Sequence, residues 1–323
     1  MRLELPGLFD LQVNGFGGID FNAPGLTDDR VDAALARMRA TGVTRCLPTL
    51  ITSSFDRFAA SARILARMSR DAIAGIHMEG PYISPEDGAR GAHPKEHVTC
   101  ASVDDLKRRQ DAAGGRIALV TLAPEVPGAI ALIEHLVASA VRVAIGHSAA
   151  SPSQIADAIS AGATLATHLG NGCAQMLPRH PNVIWELLAA DAITASFIVD
   201  GHHLPSATVK AMVRAKGSER TVLVTDAIAA AGCAPGPYTI GGVECELRAD
   251  GRVSLPGTPY LAGSSLTMDR AIANTVRFTG LPIDVVIPMA TTNPARYLGT
   301  NTAGTVMADW NPDTHDFRIL ATS

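Results

Sequence analysis

The sequence lacks the features that would point to secretion or to a membrane. Its five cysteines, at 46, 100, 173, 233 and 245, form no Cys-x-x-Cys pair. Cysteines scattered in this way are expected to be small buried residues of a protein in a reducing compartment. The N-terminus, MRLELPGLFD, has neither a basic n-region nor a long apolar h-region, and no uncharged apolar run approaches the length of a membrane span. We therefore expect a cytoplasmic protein with no membrane partner.

Excess charge is also small. The formal net charge is -4, with 18% charged and 47% hydrophobic residues, so nothing in the composition offers an electrostatic footprint for nucleic acid. A small or acidic ligand must be bound by local groups. With 323 residues the chain can bury a large core. No internal repeat, low-complexity tract or linker divides it, and one main domain is the simplest interpretation.

Eight short apolar or β-branched segments alternate with amphipathic ones. The predicted strands cover residues 8–13, 45–50, 72–78, 117–122, 141–146, 163–168, 194–199 and 221–226. Helices are predicted between them, for example over 151–162, where Ser-Pro opens the segment and a glycine closes it. Eight strand and helix units predict an α/β fold, a (β/α)8 TIM barrel, although a doubly wound open sheet would give the same alternation.

Residues able to do chemistry follow nearly every predicted strand. This favours the barrel, because barrel active sites are built at the carboxyl ends of the strands. The residues are Gln12, Asn14, Glu79, Glu125, His147, His168, Asn171, Asp200, His202, His203 and Asp226. In a barrel they would converge on one mouth.

Glu79, His147 and His168 are the best candidates for a metal site. They end the third, fifth and sixth predicted strands, so a barrel would aim all three at one point, and their oxygen and nitrogen atoms suit a divalent metal. Each could instead be a solitary polar residue at its strand end. Asp226, after the eighth strand, is the candidate general base and acid, with capping of the following helix as the alternative.

Other candidates lie in the loops. His202 and His203 are adjacent and cannot both face one ligand along an extended backbone, so one of them is expected to be a substrate donor. His93 lies in a loop rich in glycine and proline, where it could clamp a ligand or simply lie at the surface. Arg179 could pair with a phosphate or carboxylate through its planar fork.

The region after the eighth strand predicts smaller elements. Residues 236–256 alternate and carry turn residues, which indicates a β-hairpin excursion from the barrel. Helices are expected over 266–280 and 282–299, and two short strands near the C-terminus. The predicted organisation is a catalytic barrel over 6–297 with the hairpin inserted, followed by short strands over 298–323.

With these residues assembled, the chain resembles the N-acetylglucosamine-6-phosphate deacetylases of the amidohydrolase superfamily. The motifs run through nearly the whole chain, and as an ordered series they are more specific than any one alone. They are GLFDLQVNGFGG, GIHMEGPYISPEDGARGAH, TLAPE, IGHSAAS, ATHLGN, VDGHH, LVTDA, LAGSSLTM and MATTNPARYLG.

The resemblance implies a metal-dependent hydrolase that removes the N-acetyl group of an amino sugar phosphate and releases acetate. It implies one divalent metal bound by Glu79, His147 and His168, with zinc as the first candidate and iron or another divalent ion as the alternative. It also implies that Asp226 is the catalytic acid and base. It also implies that His203, rather than His202, stabilises the oxyanion, and that the chain forms a homodimer. The implied substrate-binding residues are His93, Asn171, Gly172, Arg179, His203 and Leu261.

Three departures from the family pattern modify these expectations. Gln12 and Asn14 stand where two-metal members carry His-x-His, and an amide is a poor zinc ligand, so one metal is expected. The loop over 168–182 differs around Arg179, which leaves the preferred sugar isomer and the need for phosphate open. Only MRLELP precedes the first barrel strand, so the accessory β-sandwich of the family should be missing or strongly reduced.

Two other functions fit the same residues. A related amidohydrolase could act on a different N-acyl compound or cyclic amide, including N-acetylgalactosamine 6-phosphate, because the altered 168–182 loop would permit it. A sugar-phosphate-binding protein without turnover is the third possibility. The presence of Glu79, His147, His168 and Asp226 together argues against it, since a pure binder has no need of an acid and base.

Overall fold

The computed structural model describes residues 1–258 and 260–323. Its strands are β1 Arg2–Pro6, β2 Leu8–Val13, β3 Gly15–Phe16, β4 Ile19–Asp20, β5 Val43–Ile51, β6 Ile76–Glu79, β7 Ile117–Leu122, β8 Arg142–Ile145, β9 Leu165–Ala166, β10 Thr194–Ile198, β11 Thr221–Val224, β12 Gly236–Ile240, β13 Val243–Leu247, β14 Val253–Ser254, β15 Thr305–Asn311 and β16 Asp316–Thr322.

The α-helices are α1 Asp28–Arg39, α2 Phe55–Leu65, α3 Val103–Ala112, α4 Ala129–Ala138, α5 Pro152–Ser160, α6 Val183–Ala189, α7 Ser206–Lys216, α8 Met268–Thr279, α9 Ile283–Val286 and α10 Thr292–Leu298. Short 3-10 helices cover Lys95–His97, Ser218–Arg220 and Ile287–Ala290. Within the described residues, no helix is both long and apolar enough to cross a membrane.

Eight parallel strands form the barrel in the order β2, β5, β6, β7, β8, β9, β10 and β11. The two ends of this sheet meet just past the strands, where Val13 bridges Ala227 in parallel. Two backbone hydrogen bonds support the junction, from Asp226 N–H to the Gln12 carbonyl at 2.9 Å and from Asn14 N–H to the Ala227 carbonyl at 2.7 Å. The predicted TIM barrel is confirmed, and each predicted strand overlaps one of these eight.

The barrel strands are buried on both faces, which explains their nearly continuous apolar runs. The outer helices bury one stripe each, and α1, α2, α3, α5 and α6 begin at side-chain caps. Helix α5 is a clear case: Ser151 and Gln154 form a reciprocal capping box and Pro152 occupies the first turn. The segment over 282–299 departs from the expected single helix. Pro288 lies at the start of the 3-10 turn between α9 and α10, where a proline without an N–H cannot continue the preceding helix.

Two antiparallel sheets lie outside the barrel. In the first, β15 pairs with both β1 and β16, and its residues Val306, Ala308 and Trp310 join the main hydrophobic core. In the second, β13 pairs with β12 and β14 over a separate small core that includes Ile228 and Ala262 from the barrel mouth. The second sheet is therefore anchored directly beside the end of β11.

Helix α6 depends on a buried lysine for its C-terminal end. Lys216 on α7 is 1% exposed, and its Nζ donates to the carbonyls of Leu187 at 2.8 Å and Ala190 at 2.7 Å. These are carbonyls of the last helical turn, which have no partner within the helix, and a cation there also interacts favourably with the helix dipole.

We predict that Lys216→Met lowers stability by about 1–3 kcal/mol, because it leaves buried carbonyl groups without donors. Denaturant unfolding monitored by circular dichroism measures the change. Arg214→Met is the matched control: Arg214 is exposed on the same helix, and its substitution should change stability by less than about 0.5 kcal/mol. Equal effects of the two substitutions would contradict the assigned role of Lys216.

Candidate metal centre

Three side chains from three strand ends meet at one buried point. Glu79 is the last residue of β6, and His147 and His168 each lie two residues beyond the ends of β8 and β9. Glu79 Oε1 lies 3.2 Å from His147 Nε2 and 3.1 Å from His168 Nε2, and the two Nε2 atoms are 3.1 Å apart. All three residues are buried. In the described part of the chain, this is the one group of such side chains placed to hold a metal ion.

The backbone is strained where it presents these groups. His147, His168 and Asp226 have φ angles of 50°, 31° and 49°, in the left-handed region that side chains other than glycine rarely adopt. Such conformations cost on the order of 1–3 kcal/mol each and persist only when the surroundings enforce them. The repeated strain at three strand ends indicates that the fold is arranged to direct these side chains into the mouth.

The hydrogen-bonding pattern fits a cation at this point. His147 Nδ1 lies 3.0 Å from the Ala89 carbonyl, which can only accept, so Nδ1 carries a proton and the neutral ring presents a lone pair at Nε2. That lone pair faces the Glu79 carboxylate, itself an acceptor, and the Nε2 of His168. His168 Nδ1 has no partner among the described residues. One carboxylate oxygen and two imidazole nitrogens therefore lie within hydrogen-bonding distance of one another, and this donor set suits a divalent metal.

Two glycines allow the rings to lie this close to the backbone. A Cβ atom on Gly172 would come within 3.0 Å of His147 Nδ1 and 3.2 Å of His168 Cε1. A Cβ on Gly91 would come within 3.3 Å of the His147 ring. The backbone of the loops that carry these glycines therefore packs directly against the rings of the candidate ligands.

Asp226 is held beside the cluster by two amides. Asn14 Nδ2 donates to its Oδ1 at 2.7 Å, and Gln12 Nε2 donates both to that atom at 3.2 Å and to Glu79 Oε1 at 2.8 Å. Burial, followed by the negative charge of Glu79, raises the pKa of Asp226 to about 6. Burial would also raise the pKa of Glu79, but its interactions with His147 and His168 outweigh burial and hold that pKa well below its usual value.

His93 lies against the same cluster in a buried position. Its ring centroid is 4.3 Å from that of His147, and its Nε2 is 3.8 Å from Glu79 Oε2. Thr52 contacts its Nδ1 twice, with the backbone N–H donating at 3.4 Å and Oγ1 lying 2.9 Å away. Because Nδ1 accepts from that N–H, the proton of the neutral ring is on Nε2. Burial, then the charge of His147, lowers the pKa of His93 to about 3. His93 is therefore a neutral donor that faces the cluster.

The adjacent histidines turn to different partners. His203 Nδ1 lies 2.7 Å from Asp200 Oδ2, and a charge on His203 lowers the pKa of Asp226. His202 Nε2 instead lies 3.1 Å from the Asp250 carbonyl. Asp200 was recognised from the sequence as a polar residue at a strand end, but its pairing with His203 was missed. The Asp-x-x-His spacing is the signal that could have found it.

Of the remaining predicted substrate residues, some lie at the cluster and one does not. Asn171 donates from Nδ2 to the His168 carbonyl at 3.2 Å, and Leu261 bridges Ser254 beside the end of β11. Arg179 is exposed, and among the described residues its side chain makes no hydrogen bond or ion pair. The structure thus gathers Asn171 and Gly172 at the cluster but leaves the Arg179 guanidinium in solvent.

A second set of residues, missed from the sequence, lies directly beneath the cluster. His77 Nε2 is 2.7 Å from Thr121 Oγ1, which is 2.7 Å from Thr167 Oγ1. His77 Nδ1 lies 3.1 Å from the Leu11 carbonyl, and burial lowers the pKa of His77 to about 4. These residues connect four strand ends just below Glu79 and His168. Each of these residues lies within one of the apolar or β-branched strand segments, so the sequence pattern did not indicate a polar layer.

We predict that His168→Ala and Glu79→Gln lose at least about tenfold in metal affinity, because each removes one of three convergent donors. Competition with a chromophoric chelator, using zinc and metal-free protein, measures the dissociation constant. His135→Ala is the control, since His135 lies on the outer helix α4 and its loss should leave affinity unchanged. Wild-type affinity in both site variants would show that these residues do not bind the ion.

Comparison with known proteins agrees with this geometry. The model of the amidohydrolase family matches residues 4–314. An N-acetylglucosamine-6-phosphate deacetylase from Lysinibacillus sphaericus is 32% identical over 97% of this chain and 80% of its own length. An N-acetylgalactosamine-6-phosphate deacetylase from Escherichia coli O157:H7 is 36% identical over 93% of this chain and 79% of its own length.

A solved structure extends the similarity to three dimensions. It is a variant of N-acetyl-D-glucosamine-6-phosphate deacetylase from Mycobacterium smegmatis in complex with N-acetyl-D-glucosamine-6-phosphate. The two chains superpose with a TM-score of 0.91 at 33% sequence identity, over 100% of this chain and 85% of the other. The barrel and its connections are therefore shared throughout the chain.

Proposed function

Because the chain belongs to the N-acetylglucosamine-6-phosphate deacetylases of the amidohydrolase family, we propose that it hydrolyses the N-acetyl group of an amino sugar phosphate. N-acetylglucosamine 6-phosphate is the first candidate, with glucosamine 6-phosphate and acetate as products. The observation that carries the proposal is the meeting of Glu79 Oε1 with two imidazole nitrogens beside an acid of raised pKa. A protein that only bound the sugar would have no need of that acid.

Glu79, His147 and His168 would hold one divalent metal, and we propose zinc. The bound ion would polarise the acyl oxygen and lower the pKa of a water molecule to about 7. Gln12 and Asn14 support a single ion, because their amide groups already donate to the carboxylates of Glu79 and Asp226. A second cation is not needed to bring these two negative groups together.

Asp226 would move the proton. Its Oδ1 is held by Asn14 and Gln12, and its Oδ2 has no hydrogen bond within the described residues. Oδ2 would accept a proton from the attacking water and deliver it to the departing amine nitrogen. A pKa raised to about 6 suits this double role near neutral pH, since an effective acid and base titrates close to the working pH.

The histidines around the ion would bind the acyl group. His93 presents a neutral N–H towards Glu79, and His203 is near enough to Asp226 for a charge on its ring to lower the pKa of Asp226. Hydrogen bonds aimed at the oxygen that becomes negative stabilise the transition state more than the bound substrate. Asn171 and the backbone at Gly172 would contact the sugar phosphate, together with Leu261, and Arg179 would have to move to reach it. The homodimer and the cytoplasmic location stay predictions.

We predict acetate release from N-acetylglucosamine 6-phosphate by the zinc-loaded protein. Two other substrates are compared. N-acetylgalactosamine 6-phosphate is included because one relative is named as its deacetylase. Unphosphorylated N-acetylglucosamine is included because Arg179, the candidate phosphate ligand, is exposed. Coupled detection of acetate measures kcat/KM for each. Preference for the galactosamine isomer would redirect the substrate assignment, and absence of turnover on every arm with metal bound would contradict amino sugar deacetylation.

We predict that Asp226→Asn lowers kcat by about 10²–10⁴-fold, because it removes the proton carrier, while metal content stays unchanged. The asparagine Oδ1 can still accept from Asn14. Asp29→Asn, an exposed position in the first turn of α1, is the control for removal of a carboxylate and should leave kcat unchanged. A loss of less than about tenfold in Asp226→Asn would remove this residue from the proton transfer.

A further inference from the structure

Asp200 uses its two carboxylate oxygens for two different tasks. It lies two residues beyond the end of β10, and its Oδ1 accepts from the backbone N–H groups of His202 and His203, both at 2.8 Å. Its Oδ2 lies 2.7 Å from Nδ1 of the His203 ring. One oxygen therefore shapes the turn, and the other binds the imidazole that the turn presents.

This pairing is buried and directional. The side chains of His203 and Asp200 are 7% and 9% exposed. Burial would raise the pKa of Asp200, but the hydrogen bond and the charge of His203 hold that pKa below its usual value, so the carboxylate is ionised and can only accept. Nδ1 must then carry a hydrogen. Within residues 1–258 and 260–323, Nε2 of His203 has no protein partner.

The direction of this hydrogen bond decides what Nε2 can do. A neutral imidazole carries one N–H, and here it is on Nδ1, so the neutral ring offers only a lone pair at Nε2. Nε2 can donate only when the ring is an imidazolium. His93 is the other tautomer: the Thr52 N–H donates to its Nδ1, so its neutral ring carries the hydrogen on Nε2.

We propose that Asp200 is a positioning residue that makes His203 a charged donor, so that Nε2 binds the acyl oxygen of the substrate only as imidazolium. The inference rests on the proposed function and deepens it by assigning a protonation state to one of its two acyl donors. A charge-assisted hydrogen bond is roughly twice as strong as a neutral one. It also strengthens as the oxygen becomes negative, which is the requirement for transition-state stabilisation.

The charged groups with which His203 interacts are both acidic, Asp200 on its own turn and Asp226 at the end of β11. Helix α8 packs on the same turn through neutral Asn274, which donates to the Val199 carbonyl at 2.8 Å. Arg277 is the cation on that helix, and its guanidinium donates to Asn274 Oδ1 at 2.9 Å.

Asp200→Asn tests the proposal because it preserves the turn and changes which nitrogen of the neutral His203 ring carries the hydrogen. The asparagine Oδ1 can still accept both backbone N–H groups, while its Nδ2 must donate to Nδ1 of His203. The neutral ring then carries its hydrogen on Nε2. We expect kcat at low pH to fall by roughly tenfold because the donor loses its charge. We also expect the alkaline decline that deprotonation of His203 causes in the wild type to disappear.

The controls separate this effect from a general structural one. His202→Gln removes the neighbouring ring, which bonds to the Asp250 carbonyl outside the site, and should keep both the wild-type rate and the wild-type pH profile. His203→Gln should lose the alkaline decline as well. A uniform loss of kcat in Asp200→Asn at every pH, with the wild-type profile retained, would overturn the proposal.

A second readout does not depend on turnover. Ring ¹⁵N spectra of the zinc-loaded protein, with the His203 signals identified by their absence in His203→Gln, report which nitrogen carries the hydrogen when the ring is neutral. We expect Nδ1–H in the wild type and Nε2–H in Asp200→Asn. The same tautomer in both proteins would overturn the inference. Failure of the deacetylase assignment would instead appear as inactivity of the wild type, with the tautomers still as predicted.

Discussion

The burial of the Glu79 carboxylate against two imidazoles is the constraint on which the rest of the molecule depends. A buried charge is tolerated only when it is paired and hydrogen-bonded, and here the partners come from His147, His168 and Gln12. The ends of three separate strands must therefore be held at hydrogen-bonding distance from one another. The strained backbone at both histidines and the polar layer around His77 serve that requirement, since they fix where each strand ends.

Barrel closure places the proton carrier beside this cluster. The first and eighth strands join just past their ends through Val13 and Ala227, so the amides that follow the first strand lie against Asp226 after the eighth. Amide donors hold this carboxylate next to Glu79, where two negative charges would otherwise repel each other. Burial and then the nearby negative charge of Glu79 raise the pKa of Asp226, which is the property an acid and base requires.

The sequence predicted the architecture and the centre of the site because both follow from local patterns. Apolar runs mark the strands, and residues such as Glu79, His147, His168 and Asp226 directly follow them, so the barrel alone implies that they converge. The conformations of loops and the orientation of rings depend on contacts between distant segments. Tertiary contacts, and no local sequence pattern, therefore determine the Asp200 pairing with His203, the donor state of His93 beside Thr52, and the exposure of Arg179. The broken helix after residue 282 came from Pro288, whose effect on the helix the amphipathic pattern concealed.

The central claim is that one metal ion, held by Glu79, His147 and His168, is required for hydrolysis. Titration of metal-free protein with zinc, with acetate release from N-acetylglucosamine 6-phosphate followed at each step, tests it most directly. The account predicts no turnover without metal and a linear rise that ends at one zinc per chain, because the amides of Gln12 and Asn14 already donate to the carboxylates of Glu79 and Asp226. Full activity in the metal-free protein, or a rise that continues to two zinc ions per chain, would contradict it.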